Sequence, residues 1–340
     1  MLFTPTRCPE CGTEKIKVHS RYRVQNGEER CEYQCRRCGC YFSETYDTAL
    51  AGLRTPLSRI QKILDALNEG LGINAVCRTF QVSKNTVADW LERLAELKEP
   101  LLLYALCHQF LQQIIEGDEL YTKVERTVPV MDSQGWTIVL MDRASRFLWE
   151  LHAGEKDQLL FETAMQTLAQ VIQQTDDLSL VTDGERRYGT VLFEICCRVL
   201  RTGRVGRPKA TFPQGVRVRV KNKGSQAHKA GRKRPKYQAP RPEHPDTPQT
   251  LDRTDIHANH VEAFNSALRR RLACFRRKTN TYAKQPPALQ IRLDVYWLFH
   301  NFIRPHFTTK QVPAVALKIL DAGLSLLDLF QLHLMGIALP

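Results

Sequence analysis

The sequence predicts a multidomain chain in which a small β unit and an all-α unit precede a larger α/β domain with a basic insertion. Two Cys-x-x-Cys pairs flank a short hairpin, apolar residues then follow a helical period in three short segments, and strands and helices alternate beyond about residue 110. A chain of 340 residues is long enough for two or three domains. The predicted domains are residues 1–48, 52–98 and 110–305, with the insertion at about 201–250 and a helical tail at 306–340.

The charge of the chain is concentrated in one segment. The formal net charge is +13 and the pI about 9.3, which favours a polyanionic partner. Residues 201–241 contain 14 Lys and Arg and no Asp or Glu, while the remaining 35 basic residues nearly equal the 36 acidic ones. A solvated charge run would explain this segment alone, but nucleic-acid contact explains it better beside the DNA-binding patterns described below.

The sequence favours an intracellular protein. Met1–Arg7 leads directly into a cysteine pair rather than an apolar run, so no signal peptide is predicted. No stretch approaches the roughly 18 apolar residues that cross a bilayer, so no membrane partner is expected. We therefore expect a cytoplasmic, nucleoid-associated protein whose 11 cysteines stay reduced.

The two cysteine pairs predict a structural zinc site. Cys8-Pro-Glu-Cys11-Gly and Cys35-Arg-Arg-Cys38-Gly have the spacing of a zinc ribbon, in which four thiolates surround one tetrahedral ion. Ile16–Val24 and Glu32–Gln34 alternate like hairpin strands, with Asn26-Gly27 as the turn. Cys31 and Cys40 lie nearby with poorer spacing and remain alternative ligands, whereas His19 is expected on the hairpin surface.

The next segment predicts a helix-turn-helix. Thr55 is the expected cap and Pro56 the first residue of a helix that ends at Gly70, and Ile73–Phe80 forms a second helix. Gln81-Val82 makes the turn, and Ser83 caps the third helix. Lys84, Asn85 and Thr86 are therefore the residues expected to contact DNA, Asn85 by reading adenine. An ordinary three-helix bundle is the alternative.

The order of elements after Pro100 predicts an RNase H-like domain. The predicted helices are 100–112, 156–173, 188–200, one beginning near 257, and 287–302, and the predicted strands are 114–124, 136–141, 146–151 and 178–182. Three antiparallel strands, a helix, a buried strand and another helix follow the order of that fold. In that order, acidic residues are expected on the first strand, at the end of the fourth and on a later helix.

Carboxylates occupy all three of these places. Asp118 lies within the first strand, Asp183 ends the fourth, and Glu262 lies on a helix whose apolar stripe faces the core. Three carboxylates suit two Mg²⁺ or Mn²⁺ ions about 4 Å apart, which promote in-line phosphoryl transfer. Asp132 and Asp142 are possible rivals to Asp118 but resemble turn residues, and Glu243 is a rival to Glu262 that lies between prolines.

With these motifs the chain resembles the insertion-sequence transposases of the DDE class that join a zinc ribbon and a helix-turn-helix to their catalytic domain. The resemblance includes Thr182-Asp183-Gly184 and the run from His260 to Arg269. It implies that Asp118, Asp183 and Glu262 are the catalytic, magnesium-binding triad. His260, Asn265 and Arg269 would assist near the DNA backbone, and the basic residues that follow would contact DNA: Arg270, Arg276, Arg277 and Lys278.

The basic segment contains two short motifs. Gly206-Arg207-Pro208-Lys209 resembles the core of hook peptides that enter an AT-rich minor groove, and Gly231-Arg232-Lys233-Arg234-Pro235 is a looser version. A nonspecific phosphate clamp is the alternative interpretation. Residues 216–221 alternate Val with Arg or Lys and predict a strand with one basic face. We expect this segment to hold flanking or target DNA, so that deleting Pro213–Pro240 would weaken nonspecific binding and its salt dependence.

Together these patterns predict a transposase that cuts double-stranded DNA at the ends of its mobile element and joins them to target DNA. A homo-oligomer is expected because two element ends must be held together. One alternative is a zinc-ribbon and helix-turn-helix transcriptional regulator with an inactive nuclease-like core. Another is an RNase H-like nuclease, which would not need the N-terminal DNA-binding modules.

Overall fold

The computed structural model describes residues 4–24, 27–125, 128–201, 208–221, 237–248, 251, 256–277 and 279–332. The chain divides into two compact units, Met1–Pro100 with Leu324–Pro340, and Leu101–Gly323. The residues predicted as a C-terminal tail, 306–340, are thus shared between the two units. Within the described residues, no helix has both the length and the apolar character to cross a membrane.

A small antiparallel sheet opens the first unit, with the strands β1 (Ile16–Arg23), β2 (Glu29–Cys35) and β3 (Tyr41–Ser43) in that order. The predicted hairpin is confirmed, although β2 begins before Glu32 because the pairing continues to Arg23 and Glu29. Asn26 of the predicted turn lies outside the described residues. Tyr33 and Phe42 are buried beside the thiols, so this sheet has only a small core of its own.

Three helices follow in the first unit: α1 (Leu57–Asn68), α2 (Ile73–Phe80) and α3 (Lys84–Ala95). The apolar stripe predicted for α1 is buried, as is Trp90 of α3. The prediction that Thr55 caps α1 is wrong, because Pro56 is the extended residue that precedes the helix and no side chain caps it. The backbone oxygens of Leu53 and Thr55 accept from the buried Arg30 of β2, which ties the sheet to the start of α1.

The second unit contains a six-stranded mixed sheet in the order β11-β10-β7-β4-β5-β6. Its strands β4, β5 and β6 are antiparallel neighbours, whereas β7 is parallel to β4 and β10 is parallel to β7. The predicted succession of three strands, helix, strand and helix is confirmed. The succession consists of β4 (Gln113–Tyr121), β5 (Trp136–Asp142), β6 (Leu148–Gly154), α5 (Gln158–Ile172), β7 (Leu178–Asp183) and α6 (Arg187–Cys196). The helix α4 (Lys98–Leu106) precedes it.

Two predicted helices end earlier than expected. The helix predicted at 100–112 ends at Leu106, and Phe110 forms a bridge with Thr175. The helix predicted at 188–200 ends at Cys196, because residues 198–200 form a strand that pairs with residues 209–211. The first pairing joins residues 65 positions apart and the second joins residues 9–13 positions apart, and local helical periodicity reveals neither. The next strands are β8 (Arg198–Leu200), β9 (Lys209–Thr211), β10 (Val216–Lys221) and β11 (Tyr237–Gln238).

Helices cover both faces of this sheet. Tyr188 of α6 lies on one face, where a Cβ on Gly117 would stand 3.5 Å from its ring, and α7 lies on the other face. The remaining helices of this unit are α7 (Asn259–Arg271), α8 (Pro286–Leu298) and α9 (Pro313–Ala316), whereas α10 (Leu326–Gln331) belongs to the first unit. As predicted, Trp297 and His300 are packing residues, because their ring nitrogens bond the backbone oxygens of Leu148 at 2.6 Å and Arg146 at 2.8 Å.

Candidate functional site

The structure brings the four predicted thiols together. The Sγ atoms of Cys8, Cys11, Cys35 and Cys38 all lie within 4.8 Å of one another. The Cys8–Cys38 and Cys11–Cys35 sulfur distances are both 3.6 Å. Tetrahedral zinc with Zn–S bonds of about 2.3 Å needs sulfurs about 3.8 Å apart, so this cluster could bind a zinc ion. Cys31 and Cys40, the alternative ligands, lie outside this set.

Backbone geometry shapes the two cysteine turns. Gly12 and Gly39 have φ values of 67° and 75°, which side-chain-bearing residues rarely adopt, and their amides donate to the oxygens of Cys8 and Cys35. The amides of Cys38 and Arg37 lie 3.4 and 3.3 Å from the Cys35 sulfur. These amides hold the pKa of the Cys35 thiol down at about 6, which favours the thiolate that binds metal.

Chelation is expected to remove one zinc ion per chain and to unfold the small sheet. Structural zinc contributes about 10–16 kcal/mol to the folding of zinc-finger peptides, and this sheet has little other core. Zinc content and hydrogen exchange of β1 and β2 would be measured before and after chelation. Cys11→Ser should abolish zinc binding, whereas the exposed Cys107→Ser should not change it. A zinc-free chain with protected β1 and β2 amides would contradict this prediction.

The start of α3 presents the residues expected to contact DNA. Ser83 caps the helix as predicted, since its hydroxyl oxygen accepts from the Thr86 amide at 3.1 Å. Lys84 and Asn85 are exposed, while the Thr86 hydroxyl bonds the Ser83 hydroxyl at 2.8 Å. The turn residue Val82 is half-buried. The helix cap involves Thr86 but neither Lys84 nor Asn85, so these two side chains remain available for contact with a ligand.

Asp118 and Asp183 lie side by side in the second unit. In the parallel pairing of β4 with β7, Gly117 is the partner of Thr182, and Asp118 and Asp183 follow on these two strands. Neighbouring strands are about 4.8 Å apart and side chains alternate between faces, so both aspartates point to the face opposite Gly117 and Thr182. Two carboxylates placed in this way suit a hard divalent cation.

Helix α7 covers the aspartate side of the sheet. Asn265 is buried, and its amide nitrogen donates to the Asp118 carboxylate at 2.9 Å. Glu262 is exposed and lies one turn before Asn265 on the same helix. The carboxylates of Asp118, Asp183 and Glu262 do not all come within 4.8 Å of one another. The structure thus brings two of the three predicted acidic residues together, while Glu262 is exposed on α7 and does not complete a group with them.

A buried glutamate that the sequence analysis did not single out attaches α7 to β4. The Glu116 side chain is fully buried, and its Oε2 accepts from the backbone amides of His260 at 3.0 Å and Val261 at 2.9 Å. Its Oε1 lies 2.7 Å from both Arg143 Nε and His260 Nδ1. Glu116 is two residues before Asp118, a spacing that places both carboxylates on the face covered by α7.

Glu116, His257 and His260 form a second group whose ligand atoms could hold a metal. The carboxylate of Glu116 already accepts four hydrogen bonds, which is its usual capacity. Burial opposes its charge, but the bonds from His260 and Val261 and the charge of Arg143 outweigh burial and hold its pKa below the ordinary value. The geometry therefore favours a helix-capping ion pair over a metal centre, and gives His260 a partner within the protein.

The carboxylates considered as rivals to Asp118 and Glu262 either bond to other residues or lie in an exposed turn. Asp142 is buried in a tight turn, where it accepts from the amide and hydroxyl of Ser145 at 2.7 and 2.6 Å. Asp132 lies in an exposed 3₁₀ turn. Glu243 forms an ion pair with Arg219. Glu119, which the sequence analysis did not consider as a rival, lies 3.2 Å from Lys156, and burial raises its pKa.

The prediction that the basic face of residues 216–221 contacts DNA is wrong for two of its three cations. Arg217 is buried and bonds Asp177, Ser179 and the backbone oxygen of Pro248. Arg219 pairs with Glu243. These residues belong to β10, a strand within the sheet, so deleting Pro213–Pro240 would remove part of the core. Lys221, which the sequence analysis did not assign to the site, is the register partner of Asp183.

The other predicted DNA-contacting residues differ in how they are placed. Lys209, Arg270, Arg276 and Arg277 are exposed, and Arg269 is half-buried. Arg270 donates to the Ser266 hydroxyl at 3.2 Å. The remaining predicted contacts lie outside the described residues: Arg207, Arg232, Lys233, Arg234 and Lys278.

Comparison with known proteins gives little beyond this geometry. No family model and no curated protein matches the chain. Among solved structures, the Mos1 transposase paired-end complex with the left transposon end is 16% identical, with a TM-score of 0.17, over 42% of this chain and 57% of that one. The Mos1 strand transfer complex is 15% identical, with a TM-score of 0.16, over 40% and 53% of the two chains. The chain therefore spans a little over half the length of these transposases. Because the likeness is weak, a functional proposal depends on the geometry of the site.

Proposed function

We propose that this protein is a DNA transposase that cuts the ends of its mobile element and joins them to target DNA. The observation that carries the proposal is the placement of Asp118 and Asp183 on adjacent parallel strands beneath α7. The strand order, with three antiparallel strands beside two parallel ones, supports an RNase H-like core. The thiol cluster and the exposed start of α3 support zinc-stabilised recognition of a DNA end.

In this proposal the chain's own residues organise a divalent-metal site. Asp118 and Asp183 would hold Mg²⁺ or Mn²⁺, with Glu262 as the third carboxylate. When bound, two such ions activate the attacking oxygen and stabilise the leaving oxygen of the phosphodiester. Asn265 donates to Asp118 and so orients one of its oxygens. Lys221, beside Asp183 in register, adds a positive charge that favours the approach of a phosphate.

Residues outside this core would bring DNA to it. We propose that Lys84 and Asn85 read the element end, with Thr86 fixed in the helix cap. The remaining basic residues would contact phosphates: Arg207, Lys209, Arg232, Lys233, Arg234, Arg269, Arg270, Arg276, Arg277 and Lys278. His260 would act through Glu116 by holding the start of α7. The active complex would be a homo-oligomer on double-stranded DNA, because transposition joins two ends.

The test is metal-dependent cutting and joining of DNA that carries the sequences flanking the chain's own gene. We expect strand cleavage at defined ends, followed by joining to a supercoiled plasmid, with Mg²⁺ or Mn²⁺ and not with a chelator that spares the thiol-bound zinc. The products would be mapped by primer extension. Specific binding without cleavage in either metal would contradict the proposal.

The position of Glu262 favours a second candidate, a DNA-binding regulator with an inactive core. Its carboxylate is exposed and does not cluster with the two aspartates. A regulator would bind the flanking DNA specifically and would show no cleavage in either metal. The same assay therefore separates the two candidates.

A further inference from the structure

Two lysines from distant parts of the second unit meet at one tyrosine. The Nζ atom of Lys284 lies 3.6 Å from the centre of the Tyr282 ring, and that of Lys123 lies 4.2 Å from it. Tyr282 and Lys123 are half-buried, and Lys284 is exposed. We call these three residues the Tyr282 cluster. None of them belongs to the carboxylate site.

Backbone contacts hold this cluster in place. Val124 and Ala283 form a parallel bridge, and the Glu125 amide donates to the Ala283 oxygen at 2.8 Å. The Thr281 hydroxyl donates to the Ala273 oxygen at 2.8 Å, and that of Thr122 donates to the Cys274 oxygen. The two segments that carry the lysines are therefore fixed to one another, which brings the ammonium groups together.

The cluster brings two positive charges close to one another. Among the described residues, no ion pair involves either lysine, and the charged groups that act on Tyr282 are these two lysines. Glu125 is the nearest acid in sequence and is exposed. The bond from Lys284 and the charges of both lysines hold the pKa of the Tyr282 hydroxyl below its ordinary value. Cation–π contacts of about 0.5–1 kcal/mol each give little compensation for bringing two like charges together, so the arrangement fits an anionic ligand.

We propose that Lys123, Tyr282 and Lys284 form a clamp for the phosphate backbone of duplex DNA. The inference extends the proposed function, because it names a surface on which the DNA substrate rests. Lys123 lies five residues beyond Asp118 along the chain, at most about 17 Å away at 3.4 Å per residue. That reach equals roughly five base pairs of B-DNA, so one duplex could contact both the clamp and the aspartates.

The experiment measures how binding of the full chain to a DNA duplex depends on salt. A fluorescent duplex of arbitrary sequence and about 30 base pairs would be titrated at several salt concentrations, without divalent metal. The logarithm of the binding constant falls as the logarithm of the salt concentration rises, and each lost phosphate contact makes this slope less steep by about 0.9. We expect this loss for Lys123→Gln and for Lys284→Gln, and about twice this loss for the double variant.

Lys310→Gln is the matched control. Lys310 also lies over an aromatic ring, 4.1 Å from the centre of Phe307, but away from the Tyr282 cluster in sequence. Its substitution should leave the slope unchanged. A wild-type slope in the double variant, or an equal loss in Lys310→Gln, would overturn the clamp. Because binding is measured without metal, a chain that binds through the clamp but never cuts DNA would contradict only the proposed function.

Discussion

Asp118→Asn and Asp183→Asn are each expected to lower the rate of Mg²⁺-dependent strand cleavage by at least about 10²–10³-fold, the usual loss when one group that stabilises transition-state charge is removed. Asparagine keeps the shape of aspartate but loses the charge that binds a hard cation. Binding of the same DNA should stay within about twofold, because Lys84 and Asn85 lie in the other unit. Cleavage rate and binding would be measured on one preparation of each variant.

The rival carboxylate provides the control for these variants. Asp132 is exposed in a 3₁₀ turn, so Asp132→Asn should cleave like the wild type. Retained cleavage in either Asp118→Asn or Asp183→Asn would show that the carboxylate pair is not the reaction centre. Glu262→Gln then tests the third ligand. Loss of cleavage would assign it, and full activity would show that another group completes the site.

Local patterns predicted much of this arrangement. Ser83 followed by Thr86 marks a helix start through a bond between neighbours, and Cys-x-x-Cys-Gly turns need only a few consecutive residues. Asp183 follows the mostly apolar residues 178–182, so its place at the strand end was also predictable. Each of these features depends on interactions within a short segment, which sequence patterns record directly.

Features that depend on distant pairing were not predictable in the same way. The alternating Val and Arg residues of β10 indicated a strand, yet its basic face is neutralised by Asp177 and Glu243, about 40 and 24 positions away. Glu116 meets His260 across 144 positions. An acidic residue within an apolar strand suggests an ion pair. Its partner cannot be identified from the strand alone, because it lies on α7, which is distant in the sequence.

Glu116→Ala is expected to destabilise the second unit by about 3–5 kcal/mol, because it breaks the buried ion pair with Arg143 and removes the acceptor of two α7 amides. Its stability and that of the wild type would be measured in urea by hydrogen exchange of β4 and α7 peptides. The exposed Glu194→Gln should change stability by less than about 0.5 kcal/mol. If Glu116→Ala is as stable as this control, the carboxylate does not fasten α7 to the sheet.

The pH dependence of stability gives this role an independent test. The pKa of Glu116 in the folded protein lies below its ordinary value of 4.5, so the folded state favours the charged form. Its stabilising contribution is therefore complete well above pH 4.5 and is lost as the pH falls from there through the folded-state pKa. In Glu116→Gln the side chain does not titrate, and the stability difference from wild type should shrink over that range. A difference that stays constant as the pH falls below 4.5 would mean that the charge of Glu116 does not stabilise the packing of α7 beside Asp118.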